Sequence, residues 1–142
     1  MRTMAKLTGV LVGAMLALGL LAQPAGAAET TVNCAGLQGA LSAAKAGDRI
    51  TLNELCKSGF PYHLPSVQMT LAGTPGAGFD GGTNTVQLDG NGGSPTIEGL
   101  IFEDAHSTSA NSGGALSLNI SSGEPTVTLA HDTFSNDVAA SG

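Results

Sequence analysis

Apolar residues recur with two different periods along this chain. From Cys34 to Ala46 they fall at helical spacing, with Leu37, Leu41 and Ala44 on one face. Asn33 is placed to cap the first turn, and Gly47 to end the helix in a left-handed conformation. Beyond that helix the helical period disappears. Ile50-Thr51-Leu52, Val67 to Leu71, Val86-Gln87-Leu88, Ile97 to Phe102, Ala115 to Ile120 and Val127 to Leu129 are short and mostly alternating, which predicts strands. Gly73-Thr74-Pro75-Gly76, Asp80-Gly81-Gly82 and Asp89-Gly90-Asn91-Gly92-Gly93 separate them and predict turns.

Two of these stretches repeat each other. Ile97-x-Gly99-Leu100-x-Phe102-x-Asp104 superimposes, position by position and without a gap, on Leu129-x-His131-Asp132-x-Phe134-x-Asn136. A period of this length marks stacked units, none of which buries its apolar side alone. Such strands could also build a sandwich of hairpins. Same-position residues one period apart argue instead for parallel stacking, with Phe102 under Phe134 and Asp104 under Asn136, as in a parallel β-helix. In the first copy the chain runs on through Ser112-Gly113 into a strand from Gly114 to Leu118. In the second it reaches Ser141-Gly142 where that strand would begin.

The segment from Met1 to Ala27 reads as an export signal. Arg2 and Lys6 precede an apolar run from Leu7 to Ala22, and Ala25-Gly26-Ala27 has the small-x-small form of a cleavage site. The run is shorter than the ~20 residues that cross a bilayer, an uncleaved anchor being the alternative. The remaining chain suffices for one domain. Its two cysteines, Cys34 and Cys56, are an even count in an exported segment and read as a disulfide, since a zinc site would need further Cys or His nearby.

Charge narrows the function classes. The chain carries a formal net charge of -6, and no Lys or Arg follows Lys57, whereas Asp80, Asp89, Glu98, Glu103, Asp104, Glu124, Asp132 and Asp137 are all acidic. Such a surface repels phosphate backbones and polyanionic sugars, which excludes a nucleic-acid partner.

In this combination the chain resembles the secreted right-handed parallel β-helix proteins of the pectin-lyase-like superfamily, over roughly residues 34–142. The carriers are Leu37-Gln38-x-Ala40-Leu41 followed by Ala46-Gly47-Asp48-x-Ile50-x-Leu52, then the Ile97 to Phe102 stretch, Ser112-Gly113-Gly114-Ala115-Leu116, and Asp132-Thr133-Phe134-Ser135-Asn136. The resemblance implies an all-β solenoid with a short N-terminal cap helix, which the Cys34 to Cys56 bond would tie to the first coil. It implies three segments: a signal at 1–27, a cap at 28–47 and β-helix coils at 48–142, incomplete at the C-terminus. Lyases, hydrolases and surface proteins share this fold, so it does not fix an activity.

The lyases of that family use a basic side chain, commonly Arg, with calcium on several Asp residues, and this chain has no Arg after Arg49. Its hydrolases use clustered Asp with a nearby His and a cation. Here acidic residues are scattered, and the neighbours Glu103 and Asp104 would point to opposite faces of a strand. His131-Asp132 could form an acid/base pair but reads better as a polar turn beside a stacking Phe, and His63 and His106 have no partner in sequence. Asp89-x-Asn91 opens like a calcium loop and lacks the closing acid, Leu100 standing at the twelfth position, so a plain turn is expected. Asn119-Ile120-Ser121 is a glycosylation sequon only if the source uses it.

These readings predict an exported β-helix module at the cell surface or in the medium. It makes contact with polysaccharide or surface glycans and has no catalytic, cofactor or metal residues, no membrane span once the signal is removed, and an uncapped end open to self-association. The alternative is the N-terminal piece of a secreted polysaccharide lyase or glycoside hydrolase whose active coils lie beyond residue 142.

Overall fold

The computed structural model describes residues 26–82, 86–107, 114–119 and 126–138. The expected signal at 1–27 lies outside them but for Gly26 and Ala27, as do the strand residue Ile120 and both Ser-Gly runs. The described chain is mostly β, with one helix: β1 (Glu29–Val32), α1 (Cys34–Ala43), β2 (Arg49–Leu52), β3 (Leu55–Cys56), β4 (Tyr62–Leu64), β5 (Thr70–Gly73) and β6 (Gly78–Asp80). It continues as β7 (Leu88–Asn91), β8 (Thr96–Glu98), β9 (Ile101–Glu103), β10 (Leu116–Asn119), β11 (Thr128–Ala130) and β12 (Thr133–Ser135).

Every strand pair among the described residues is parallel. The strands form three sheets, β1-β2-β5-β8-β11, β12-β9-β6-β3 and β10-β7-β4, which we call A, B and C. From β2 onward the chain visits A, B and C in the same cyclic order, so each set of successive strands is a tier hydrogen-bonded to the next. That path is compatible with a parallel β-helix.

Alternation within each strand sorts residues into inward and outward columns. In sheet A, Ile50, Leu71, Ile97 and Leu129 are partners in register and point inward. In sheet B the inward column is Cys56, Phe79, Phe102 and Phe134. The sequence repeat is therefore one tier step: Phe102 and Phe134 stack with ring centroids 4.8 Å and planes 4° apart. Leu52, Leu71, Phe79, Leu88, Ile97, Leu100 and Phe102 are fully buried and form one continuous core.

The repeat also explains its polar members. Gly99 and His131 have φ of 66° and 60°, and Asp104 and Asn136 have φ of 52° and 55°. These positions turn the chain out of sheets A and B, and such left-handed corners favour Gly, Asn, Asp and His. Because of the corner at Gly99, the expected single strand from Ile97 to Phe102 is instead two, β8 and β9, in different sheets. The strands predicted at Ile50, Ala115 and Val127 differ only at their ends, whereas the one expected at Val67 to Leu71 shares only Thr70 and Leu71 with β5, and the one expected at Val86 to Leu88 shares only Leu88 with β7. The turn expected at Asp89 to Gly93 begins only at Gly92, since β7 extends to Asn91.

Helix α1 starts as expected, with Asn33 Oδ1 accepting from Gly36 N at 3.1 Å. It ends at Ala43 rather than Ala46, with Ala44 already extended. Local polar competition explains the early stop: Asp48 accepts from Lys45 N at 2.8 Å and from Ala28 N at 2.9 Å, making a turn that Gly47, φ 91°, completes. Those backbone bonds hold the Asp48 carboxyl below its ordinary value.

Leu37 and Leu41 of α1 are fully buried over the first tier. Cys34 and Cys56 lie at disulfide distance, sulfurs 2.09 Å and Cα atoms 5.5 Å apart, joining α1 to β3. Cross-linking two positions so separated in sequence removes roughly 3 kcal/mol of unfolded-state entropy. A Cys34→Ser, Cys56→Ser double variant should therefore melt more than about 10 °C below the parent. Equal melting temperatures would show that the bond does not hold the fold.

Candidate functional site

Outward residues of the three sheets build three columns of different chemistry. On sheet A, Thr70, Thr96 and Thr128 stand in register, one strand spacing apart, in line with Arg49. The column just before it in each tier carries Gln68, Ser94 and Thr126, and Thr126 N donates to Ser94 Oγ at 3.2 Å. Together Gln68, Gly93, Ser94, Thr96, Thr126 and Thr128 line an open depression of about 420 Å³. None of the six is charged. Hydroxyls donate and accept, and a primary amide does both, so the face matches a ligand rich in neutral hydroxyl groups. Two charges on the same sheet are paired with each other, Arg49 Nη2 donating to Glu98 Oε1.

On sheet B the outward column is Lys57, Asp80, Glu103 and Ser135. Lys57 Nζ lies 2.9 Å from Asp80 Oδ2, and Asp80 and Glu103 are register partners. The hydrogen bond to Asp80 and its charge, with Glu103 adding at longer range, raise the Lys57 ammonium above its ordinary value. Neighbouring parallel strands are about 4.8 Å apart. The two carboxylates, far apart in sequence, are thus brought together on one face. Sequence reasoning compared Glu103 only with Asp104, which the structure places at the left-handed corner beyond β9. The signal it passed over was Phe79-Asp80 answering Phe102-Glu103.

On sheet C, His63, Asp89 and Ser117 form the outward column. His63 thus has a partner after all, with Nδ1 3.5 Å from Asp89 Oδ2. Gln38 of α1 fixes the backbone there, its Oε1 accepting from His63 N at 2.8 Å and its Nε2 donating to His63 O at 3.3 Å. The composition is that of a nucleophilic triad but the order is wrong. Proton transfer from a serine requires the imidazole in the middle, and here Asp89 stands between His63 and Ser117, which are about two strand spacings apart.

The remaining sequence candidates are structural or isolated. Asp132 Oδ1 accepts from Leu100 N at 2.9 Å and Oδ2 from Ala130 N at 3.2 Å, so both oxygens tie backbone rather than orient His131. Asp137 Oδ1 accepts from Ala105 N at 2.9 Å in the same manner. In both, burial pushes the carboxyl above its ordinary value against the pull of the backbone N–H groups. His106 is exposed and bridges Val138 through the backbone. Asp89 and Asn91 lie on an extended strand, so their side chains do not curl onto one point as calcium-loop ligands do. Among the described residues no helix is long and apolar enough to cross a membrane.

No family model, curated protein or solved structure matches this chain.

Proposed function

We propose that this chain is an exported right-handed parallel β-helix module of the pectin-lyase-like kind, acting at the cell surface or in the medium by contact with neutral glycans. Right-handedness is supported by the strong bias of parallel crossover connections. Export is supported by the basic, apolar and small-residue order of the segment from Met1 to Ala27 and by the paired cysteines.

The observation that carries the glycan reading is the uncharged hydroxyl and amide face of sheet A. Each exposed hydrogen bond contributes only about 0.5–1.5 kcal/mol, so affinity comes from several repeats of one contact. A polymer with regularly recurring hydroxyls supplies those repeats. The acidic remainder of the surface disfavours polyanions.

Purified protein should be retained by at least one insoluble neutral polysaccharide, and a Thr96→Val, Thr128→Val variant should bind it about tenfold more weakly with its melting temperature kept. Retention that the variant does not alter, or binding confined to anionic polymers, would remove the reading.

A second reading, the N-terminal part of a secreted polysaccharide lyase or hydrolase, is favoured by the Lys57, Asp80 and Glu103 column, in which two acids stand in register on neighbouring strands of one face beside a cation. Release of new reducing ends by the parent, lost in Asp80→Asn and Glu103→Gln, would establish it over the binding reading.

A further inference from the structure

The hydrogen bonds of sheet A begin at Ala28. Its N–H donates to Asp48 Oδ1 at 2.9 Å and its carbonyl accepts from Arg49 N at 2.8 Å, so the residue is held through both backbone groups one position ahead of β1. Among the described residues no hydrogen bond involves Gly26 or Ala27, which are exposed and belong to no helix or strand.

The export motif ends at the same place. Ala25-Gly26-Ala27 has the small-x-small form of a cleavage site, but so does Gly26-Ala27-Ala28, and the sequence by itself admits a cut on either side of Ala28. A cut after Ala28 would discard both of its bonds and leave Asp48 Oδ1 without its donor. A cut after Ala27 keeps both.

Resting on the export reading, we infer that the chain is processed between Ala27 and Ala28, and that the α-ammonium so formed is seated on the Asp48 carboxylate as an ion pair that the uncut chain cannot make.

Hydrolysis by the host's export peptidase consumes one water. The amide bond between Ala27 and Ala28 breaks, the water oxygen stays on Ala27 as part of a carboxylate, and both water protons end on the Ala28 nitrogen. That nitrogen becomes an ammonium with three N–H donors, where the uncut chain has a neutral amide with one.

Asp48 is placed to receive it. Its Oδ2 accepts from Lys45 N at 2.8 Å, which fixes the carboxylate against the turn after α1 and aims Oδ1 at the Ala28 nitrogen. Backbone N–H donors hold the carboxyl below its ordinary value, so it is ionised at neutral pH. A charge-assisted bond is shorter and stronger than the neutral one it replaces. Lys45 and Arg49 line the same hollow between β1, α1 and β2 and oppose the new charge, Arg49 being taken up by Glu98. Glu29, the next residue and the register partner of Arg49, favours it. An amino group raised by such a partner adds stability that is complete below its unfolded value and lost as pH rises through the folded one. Asp48, lowered, adds stability that is lost as pH falls through its own folded value. The pair is therefore at full strength between about pH 5 and pH 7.

The full 142-residue chain, produced in an exporting bacterial host, tests both steps. We expect the exported protein to begin at Ala28 by N-terminal sequencing and intact mass. Titrated by NMR, its α-amino group should lie about 0.3–0.7 above the same group in the urea-unfolded protein, the shift an exposed ion pair supports. Asp48→Asn should be cut at the same bond and bring the folded value back to the unfolded one, whereas Asp89→Asn on sheet C should leave the difference unchanged. The comparison of folded and unfolded parent decides the pairing even where Asp48→Asn does not fold. Exported protein that begins at Glu29, or that keeps residues before Ala28, overturns the processing site while the export reading stands. Protein kept in the cytoplasm with Met1 to Ala27 attached overturns both. Equal folded and unfolded values in the parent, or a difference that Asp48→Asn leaves unchanged, overturns the ion pair.

Discussion

Gly78→Ala is expected to prevent folding. Gly78 pairs with Ile101 in sheet B, at φ 158°, and a Cβ there would stand 2.0 Å from the Ile101 carbonyl oxygen and 2.6 Å from its nitrogen. Those atoms are backbone in a paired strand, so no side chain can swing aside. β6 and β9 would have to separate, breaking the ladder through the middle of the stack and opening the core around Phe79 and Phe102. A cost above about 4 kcal/mol is in the range reserved for such backbone conflicts and is comparable to the whole stability of a small domain. Gly39→Ala makes the matched control: it lies in α1 with nothing within 4 Å of the added methyl, and should stabilise by about 0.5–1 kcal/mol. Far-ultraviolet circular dichroism with thermal melting reads both. A Gly78→Ala protein that melts with the parent would mean that β6 and β9 are not paired in this register.

Phe102→Ala should cost about 3–5 kcal/mol, the next largest effect among single substitutions considered. Phe102 is fully buried and lies between Phe79, at 5.4 Å, and Phe134, at 4.8 Å. Removing its ring leaves a void in the inward column that runs from Cys56 to Phe134. Phe134→Ala should cost much less, because that side chain is already half in water. The double variant should cost less than the sum of the singles by about 0.5–1.5 kcal/mol, the coupling of a stacked pair. Urea unfolding of the four proteins completes the cycle. Strict additivity would show that the two rings do not touch.

Legibility of this structure in the sequence followed how far each feature is local. The N-cap at Asn33 and the stacking of Phe102 on Phe134 could be read because one rests on a signal within a single turn and the other on two copies of equal length. The end of α1 could not, because Asp48 draws off Lys45 N and Ala28 N through side-chain bonds that periodicity does not record. β3, β4 and β6 were passed over because strands this short between corners leave no room for an alternating pattern. The outward columns were harder still. His63 meets Asp89, and Asp80 meets Glu103, only after register is set by neighbours on the same strands, and tier length varies.

That variation has its own consequence. The step from Thr70 to Thr96 is longer than the step from Arg49 to Thr70, and the step from Thr96 to Thr128 is longer again, yet all four positions pair in one register. Closing a flexible loop costs more with length only logarithmically, so going from the shortest to the longest of these adds roughly 0.4 kcal/mol. Insertions at corners are therefore almost neutral, whereas a shift of a single position inside a strand turns its whole apolar column outward. Descendants of such a chain can differ in length at every corner while the ladder persists, and their kinship fades from the sequence sooner than from the backbone.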